Sequence, residues 1–166
     1  DFGGVTLWLG AIYFAFQIYC DFSGYSDIAI GTSKLFGIEL ISNFKFPYFS
    51  RNIGEFWRRW HISLSTWFRD YMYIPLGGSK EGKWKSIRNI FLIFLVSGLW
   101  HGANWTFVFW GLFHSILFLP SFFLQTNRKF VSSIIGENNY FPTLKEFFQV
   151  LTTFISVTIG WVFFRS

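Results

Sequence analysis

The chain has 166 residues, of which 52% are hydrophobic, 25% aromatic and only 14% charged, with a formal net charge of +5. So few charged groups leave too little polar surface to coat a globule of this size, which argues against a soluble enzyme and against disorder. One cysteine, Cys20, excludes an internal disulfide framework and a cysteine-based zinc site within the chain.

The charges cluster between long neutral runs. Residues 2–20 are uncharged, as are residues 89–127 and 147–164. A hydrocarbon core of about 30 Å needs roughly 20 apolar helical residues, so these runs predict membrane crossings near 2–20, 88–103, 104–124 and 147–164. The expected fold class is all-α integral membrane. The chain does not begin with Met and ends directly after an apolar run, which reads as a piece of a longer protein.

Nine of the 14 Lys and Arg residues fall between the first and second neutral runs, from Lys45 to Arg88. The positive-inside rule puts that stretch, about 44–87, in the cytoplasm, and Arg128 and Lys129 then fall on the same side. Ahead of it, residues 21–43 carry Ser23, Gly24, Ser26, Gly31, Ser33 and Gly37, small residues that let helices approach closely. A helix is expected over about 26–40, with Asp21 and Asp27 as caps or members of a polar network.

Gly54 to Tyr71, wound at 100° per residue, places Trp57, Trp60, His61, Leu64, Trp67, Phe68 and Tyr71 on one face. Glu55, Arg58, Arg59, Arg69 and Asp70 fall on the other. The pattern predicts one helix lying in the interface plane, its arginines toward lipid headgroups and water, ended by the turn chemistry of Pro75, Gly77 and Gly78. His61 stands among the tryptophans, where a structural and a catalytic imidazole read alike.

The run of 39 uncharged residues is too long for one crossing, and Gly102 and Asn104 in LWHGANW supply the break. His101 at that break is 13 residues from Arg88, which places it about 20 Å into the bilayer. An imidazole there points to function, since irregular backbone at that depth lines a cavity or is buried in protein. Desolvation would keep it neutral and able to accept a proton, the property of a general base. Ser97, one turn earlier, is within reach of a hydrogen bond to His101. His114 reads first as a residue that joins helices. No HxxxH or HxxE spacing supports a metal site, and no nucleotide or serine-hydrolase motif occurs. A proton-relaying transporter segment and a scaffold are the readings from other classes.

RRWHISLSTWFRDYMYIPLGG, Arg58 to Gly78, and SGLWHGANWTFVFWGLFH, Ser97 to His114, resemble the membrane-bound O-acyltransferase family. CDFSGYSDIAIGTSKLFGIEL and the closing IGWVFFRS look like its bacterial alginate O-acetyltransferase branch, which includes peptidoglycan O-acetylation proteins. The resemblance implies that residues 1–166 are the central-to-late part of a multi-helix bundle with interfacial or re-entrant helices around an intramembrane tunnel. It implies His101 as catalytic histidine, His61 as the second active-site residue, and Trp60, Arg69, Ser97, Trp100, Asn104 and His114 as residues lining or shaping the tunnel. It further implies an acyl thioester co-substrate, acetyl-CoA or carrier-linked, with no bound cofactor. The implied setting is the bacterial inner membrane, crossed several times, with extracytoplasmic acetyltransferase partners, a polysaccharide acceptor and no nucleic acid. D-alanyl transfer to teichoic acid is the rival within the same family.

Overall fold

The structure is a computed structural model that describes residues 3–130, 135 and 141–165. Its described residues form six α-helices, with short 3-10 and π turns between some of them and no strand among them. Helix α1 spans Gly4–Leu35, α2 Ile53–Arg59, α3 Ile62–Phe68, α4 Lys83–His101, α5 Trp105–Phe123 and α6 Leu144–Arg165. Helices α1, α5 and α6 are long and apolar enough to cross a membrane. Helix α4 has 19 residues and begins with Lys83, Lys85 and Arg88.

Helix α1 departs from the sequence expectation. One unbroken helix of 32 residues replaces the crossing near 2–20 and the separate helix over 26–40. Ser23 and Gly24 do not interrupt it, because single small residues weaken a helix without breaking it. It stops where Gly37 takes a φ of +72°, with Ile38 N donating to Ser33 O and Gly37 N to Lys34 O. These two bonds satisfy carbonyls that the last turn leaves open. Most of α1 stays uncovered: Val5, Leu7, Tyr13 and Ile28 are all exposed.

The segment 54–71 is the second correction. Instead of one interfacial helix it forms α2 and α3, broken at Trp60 and His61, where Trp60 is extended and His61 is left-handed at φ 45°, ψ 56°. The wheel therefore fails beyond the break. Trp60 is buried, while Trp67 and Tyr71 are exposed. Glu55 and Arg59, expected in water, are buried with Arg51. Glu55 receives the backbone N and Nε of Arg51 on one oxygen, at 2.8 and 3.2 Å, and Arg51 and Arg59 guanidinium groups on the other, at 2.9 and 2.7 Å. Arg51 also reaches Glu146 at the start of α6, at 3.3 Å. A fully buried carboxylate is tolerated here because its lone pairs are met by cations.

Helices α4 and α5 form the antiparallel pair that the break predicts, and Asn104 caps α5 by accepting from Thr106 N at 3.4 Å. The pair packs backbone to backbone: a Cβ on Gly98 would lie 2.3 Å from Phe107 O, and one on Gly111 2.3 Å from Phe94 O. Small residues at both crossings permit that approach. Ala15, Ile53, Phe56, Trp60, Trp110, Val157 and Trp161 make the core, drawn from α1, α2, α5 and α6.

Candidate active site

Each histidine of the first two motifs owes its position to a local break in helix. His61 is the residue between α2 and α3, and its left-handed backbone costs about 1 kcal/mol or more for a residue with a Cβ. The surrounding backbone bonds hold it there: Lys45 N donates to Arg59 O and Ile62 N to Asn43 O, each at 3.0 Å. The strand-like stretch 43–45 thus grips both sides of the break. His101 ends α4, and the chain turns at Gly102, where a Cβ would lie 2.4 Å from the Phe107 ring.

Both imidazoles line one cavity of about 990 Å³, large enough for a drug-sized ligand. Trp60, Arg69 and Ser97 line it too, as do Trp57, Trp110 and Phe164. His101 meets Trp110 edge-on at 5.3 Å and Phe164 at 5.0 Å between ring centroids. His61 meets Phe22 at 4.6 Å. Among the described residues no hydrogen bond joins Ser97 to His101. Burial first, and then the neighbouring His101, push the pKa of His61 down to about 4, so it is neutral near pH 7.

Three residues named from the sequence occupy other places. Trp100 is not part of the cavity wall but touches both imidazoles, at 6.3 Å from His61 and 4.9 Å from His101. Asn104 serves as the cap of α5. His114 lies off the cavity, fully buried among Trp57, Trp110 and Trp161, with its ring against Gly160. Neither of its ring nitrogens has a protein partner among the described residues.

Sequence reasoning named Arg69 but missed the rest of the cationic part of the wall. Lys45, Arg58, Arg59, Arg69 and Arg128 line the cavity, and among the described residues no Asp or Glu does. Arg58 donates to Lys129 O at 2.7 Å and Arg128 to Ser79 Oγ at 3.2 Å, which ties the turn after α5 over this side. A signal was present for Arg59, because Arg51, Glu55 and Arg59 recur at four-residue spacing. Nothing local announced Arg128, which arrives from beyond α5.

The model of the membrane-bound O-acyltransferase family matches residues 1–135. The chain is 48% identical over 159 residues to a protein of Pseudomonas syringae pv. tomato named "Probable alginate O-acetylase", covering 96% of this chain and 28% of that one. It is 43% identical over 163 residues to the peptidoglycan O-acetyltransferase of Helicobacter pylori, covering 98% and 29%. It is 38% identical over 161 residues to the teichoic acid D-alanyltransferase of Bacillus subtilis, covering 92% and 39%. The chain therefore spans well under half the length of each of these relatives.

Proposed function

This chain belongs to the membrane-bound O-acyltransferase family, and on that premise we propose that the protein moves an acyl group, in the first instance acetyl, from a cytoplasmic thioester to hydroxyls of an exported polysaccharide such as alginate or peptidoglycan. The observation that carries this reading is the convergence of His61 and His101 on one cavity. His101 acts as general base: it takes the proton of an acceptor hydroxyl as that oxygen attacks the thioester carbonyl. Collapse of the tetrahedral intermediate breaks the carbon–sulfur bond, and the departing thiolate recovers the proton from His101.

The five cationic residues of the wall suit the phosphates that coenzyme A and a phosphopantetheine arm share, since guanidinium groups bind phosphate oxygens in pairs. The aromatic part of the wall suits the acyl chain and keeps water from the thioester. The protein works in the bacterial inner membrane, which it crosses several times with 44–87 on the cytoplasmic side, and extracytoplasmic acetyltransferase partners complete the transfer. Its catalytic step uses no bound cofactor.

The experiment is to measure acetyl esters on the envelope polysaccharide in cells whose sole copy carries His101→Gln, at matched membrane abundance. Loss of ester is expected; retained ester would remove His101 from the chemistry. The likeness to a D-alanyltransferase favours a second reading. It predicts ester-linked alanine on teichoic acid in place of acetate in the same cells.

A further inference from the structure

We propose that Asn43 and Ser63 form a relay that fixes the tautomer of His61, placing the proton on Nδ1 and leaving Nε2 as a hydrogen-bond acceptor for a second hydroxyl of the acceptor sugar, next to the one whose proton His101 takes. The inference rests on the reading of the cavity as an acyl-transfer site, but its structural part stands on hydrogen-bond direction alone.

The direction follows from which groups can only donate. The backbone N–H of Ser63 meets Asn43 Oδ1 at 3.1 Å, and an N–H has no acceptor lone pair to offer. The Asn43 amide therefore turns its oxygen to Ser63 and its nitrogen away, where Nδ2 donates to Ser26 Oγ of α1 at 3.4 Å. That same Oδ1 lies 2.6 Å from Ser63 Oγ. Two oxygens this close need a proton between them, and the amide oxygen carries none, so the hydroxyl of Ser63 donates to Asn43. Its proton is then committed, and the hydroxyl can present only a lone pair to His61 Nδ1, at 3.4 Å. Nδ1 must supply the hydrogen. In a neutral imidazole the proton on one nitrogen excludes it from the other, so Nε2 is an acceptor.

This assigns chemistry as well as orientation. A neutral His61 with Nε2 free cannot donate from that atom to the thioester carbonyl oxygen. It can accept from a hydroxyl beside the attacking one and so hold the acceptor sugar in place. Asn43 and Ser63 are positioning residues, since they reach the site only through the imidazole. Both also brace the left-handed backbone at His61, because Asn43 O takes Ile62 N at 3.0 Å.

The test uses the protein in detergent or nanodiscs with 15N-labelled histidine, the His61 signals being identified by their loss in His61→Gln. A protonated Nδ1 and an unprotonated Nε2 are expected at neutral pH, and Ser63→Ala should weaken that bias, because only the ring's bond to its own backbone then supports it, while Ser63→Thr keeps it. A His61 with its proton on Nε2 in the parent protein overturns the proposal. In transfer assays Ser63→Ala should lower kcat about tenfold, less than the hundredfold or more of losing a base, with the KM for the donor unchanged and activity rescued by Ser63→Thr. A Ser63→Ala protein with parent kcat would also overturn it. The function and the relay fail separately: absent acyl transfer with the expected nitrogen signals sinks the former alone, and transfer with the opposite tautomer sinks the latter alone.

Discussion

His61 and His101 share the indole of Trp100, which lies 6.3 Å from the first ring and 4.9 Å from the second between centroids. The imidazoles are therefore separated by no more than the sum of those distances, although one comes from the break between two short helices and the other from the end of α4. They line one cavity, and the charge of His101 acts on His61.

That coupling predicts non-additivity. His101→Gln and His61→Gln should each lower the transfer rate by about two orders of magnitude or more, and the double variant should be little worse than the slower single one. A double-mutant cycle on initial rates at matched membrane abundance checks it. Multiplicative losses would show two independent roles.

The pH dependence has a defined sign. The pKa of His61 is held near 4 against an ordinary 6.5, so the folded site disfavours its protonation. Its contribution to stability is fully present above 6.5 and is lost as pH falls from there through 4. Thermal unfolding of the purified protein should show a loss of stability across that window that is smaller in His61→Gln. The rate profile between about pH 6 and 8 should keep its shape in that variant, because a group titrating near 4 does not change charge there.

The buried carboxylate of Glu55 compensates guanidinium groups on both sides. Glu55→Gln removes the charge and should destabilise the fold by about 3 kcal/mol, as expected when one partner of a buried ion network is neutralised. Loss of folded protein in a detergent thermal-shift assay is the readout. Arg69→Ala, in an exposed pair with Asp70, should leave the same assay unchanged.

Gly160 and His114 make a second pair that tests the packing alone. A Cβ at 160 would lie 2.5 Å from His114 Nε2, so Gly160→Ala must push the ring into its aromatic neighbours, costing about 1–3 kcal/mol. In a His114→Ala background the same change should cost much less. Equal costs in both backgrounds would show that the ring does not set the close approach.

What the sequence made legible follows from the range of each signal. Neutral runs reported the long helices, and Gly102 with Asn104 reported the turn between α4 and α5, because both are local properties of the chain. The break at Trp60 and His61 left no such mark: RRWHIS contains neither Gly nor Pro, and the helix stops because Asn43 and Lys45, distant in sequence, take its backbone groups. A wheel drawn across that point kept Phe68 on the buried face and Arg69 and Asp70 in the open, but it grouped the exposed Trp67 and Tyr71 with the buried Trp60. Burial of Glu55 and Arg59 was hidden for a related reason, since charged residues read as solvated until their partners are known. His101 was legible from its setting at a helix break, whereas Asn43 and Ser63 were two ordinary polar residues until the fold brought them together.

Helix α1 is a single rod of 32 residues, about 48 Å, against a hydrocarbon layer of about 30 Å. It is also fastened to the stretch that holds the site: Tyr48 Oη donates to Ala15 O, and Asn43 Nδ2 to Ser26 Oγ. Its uncharged part, up to Cys20, is about as long as that layer is thick, so the turns from Asp21 to Leu35 stand beyond it. The two bonds therefore anchor the stretch that braces His61 to both parts of the rod, Ala15 in the apolar length and Ser26 in the length past it. The charges that set how deep α1 sits thus also set the level at which His61 is held.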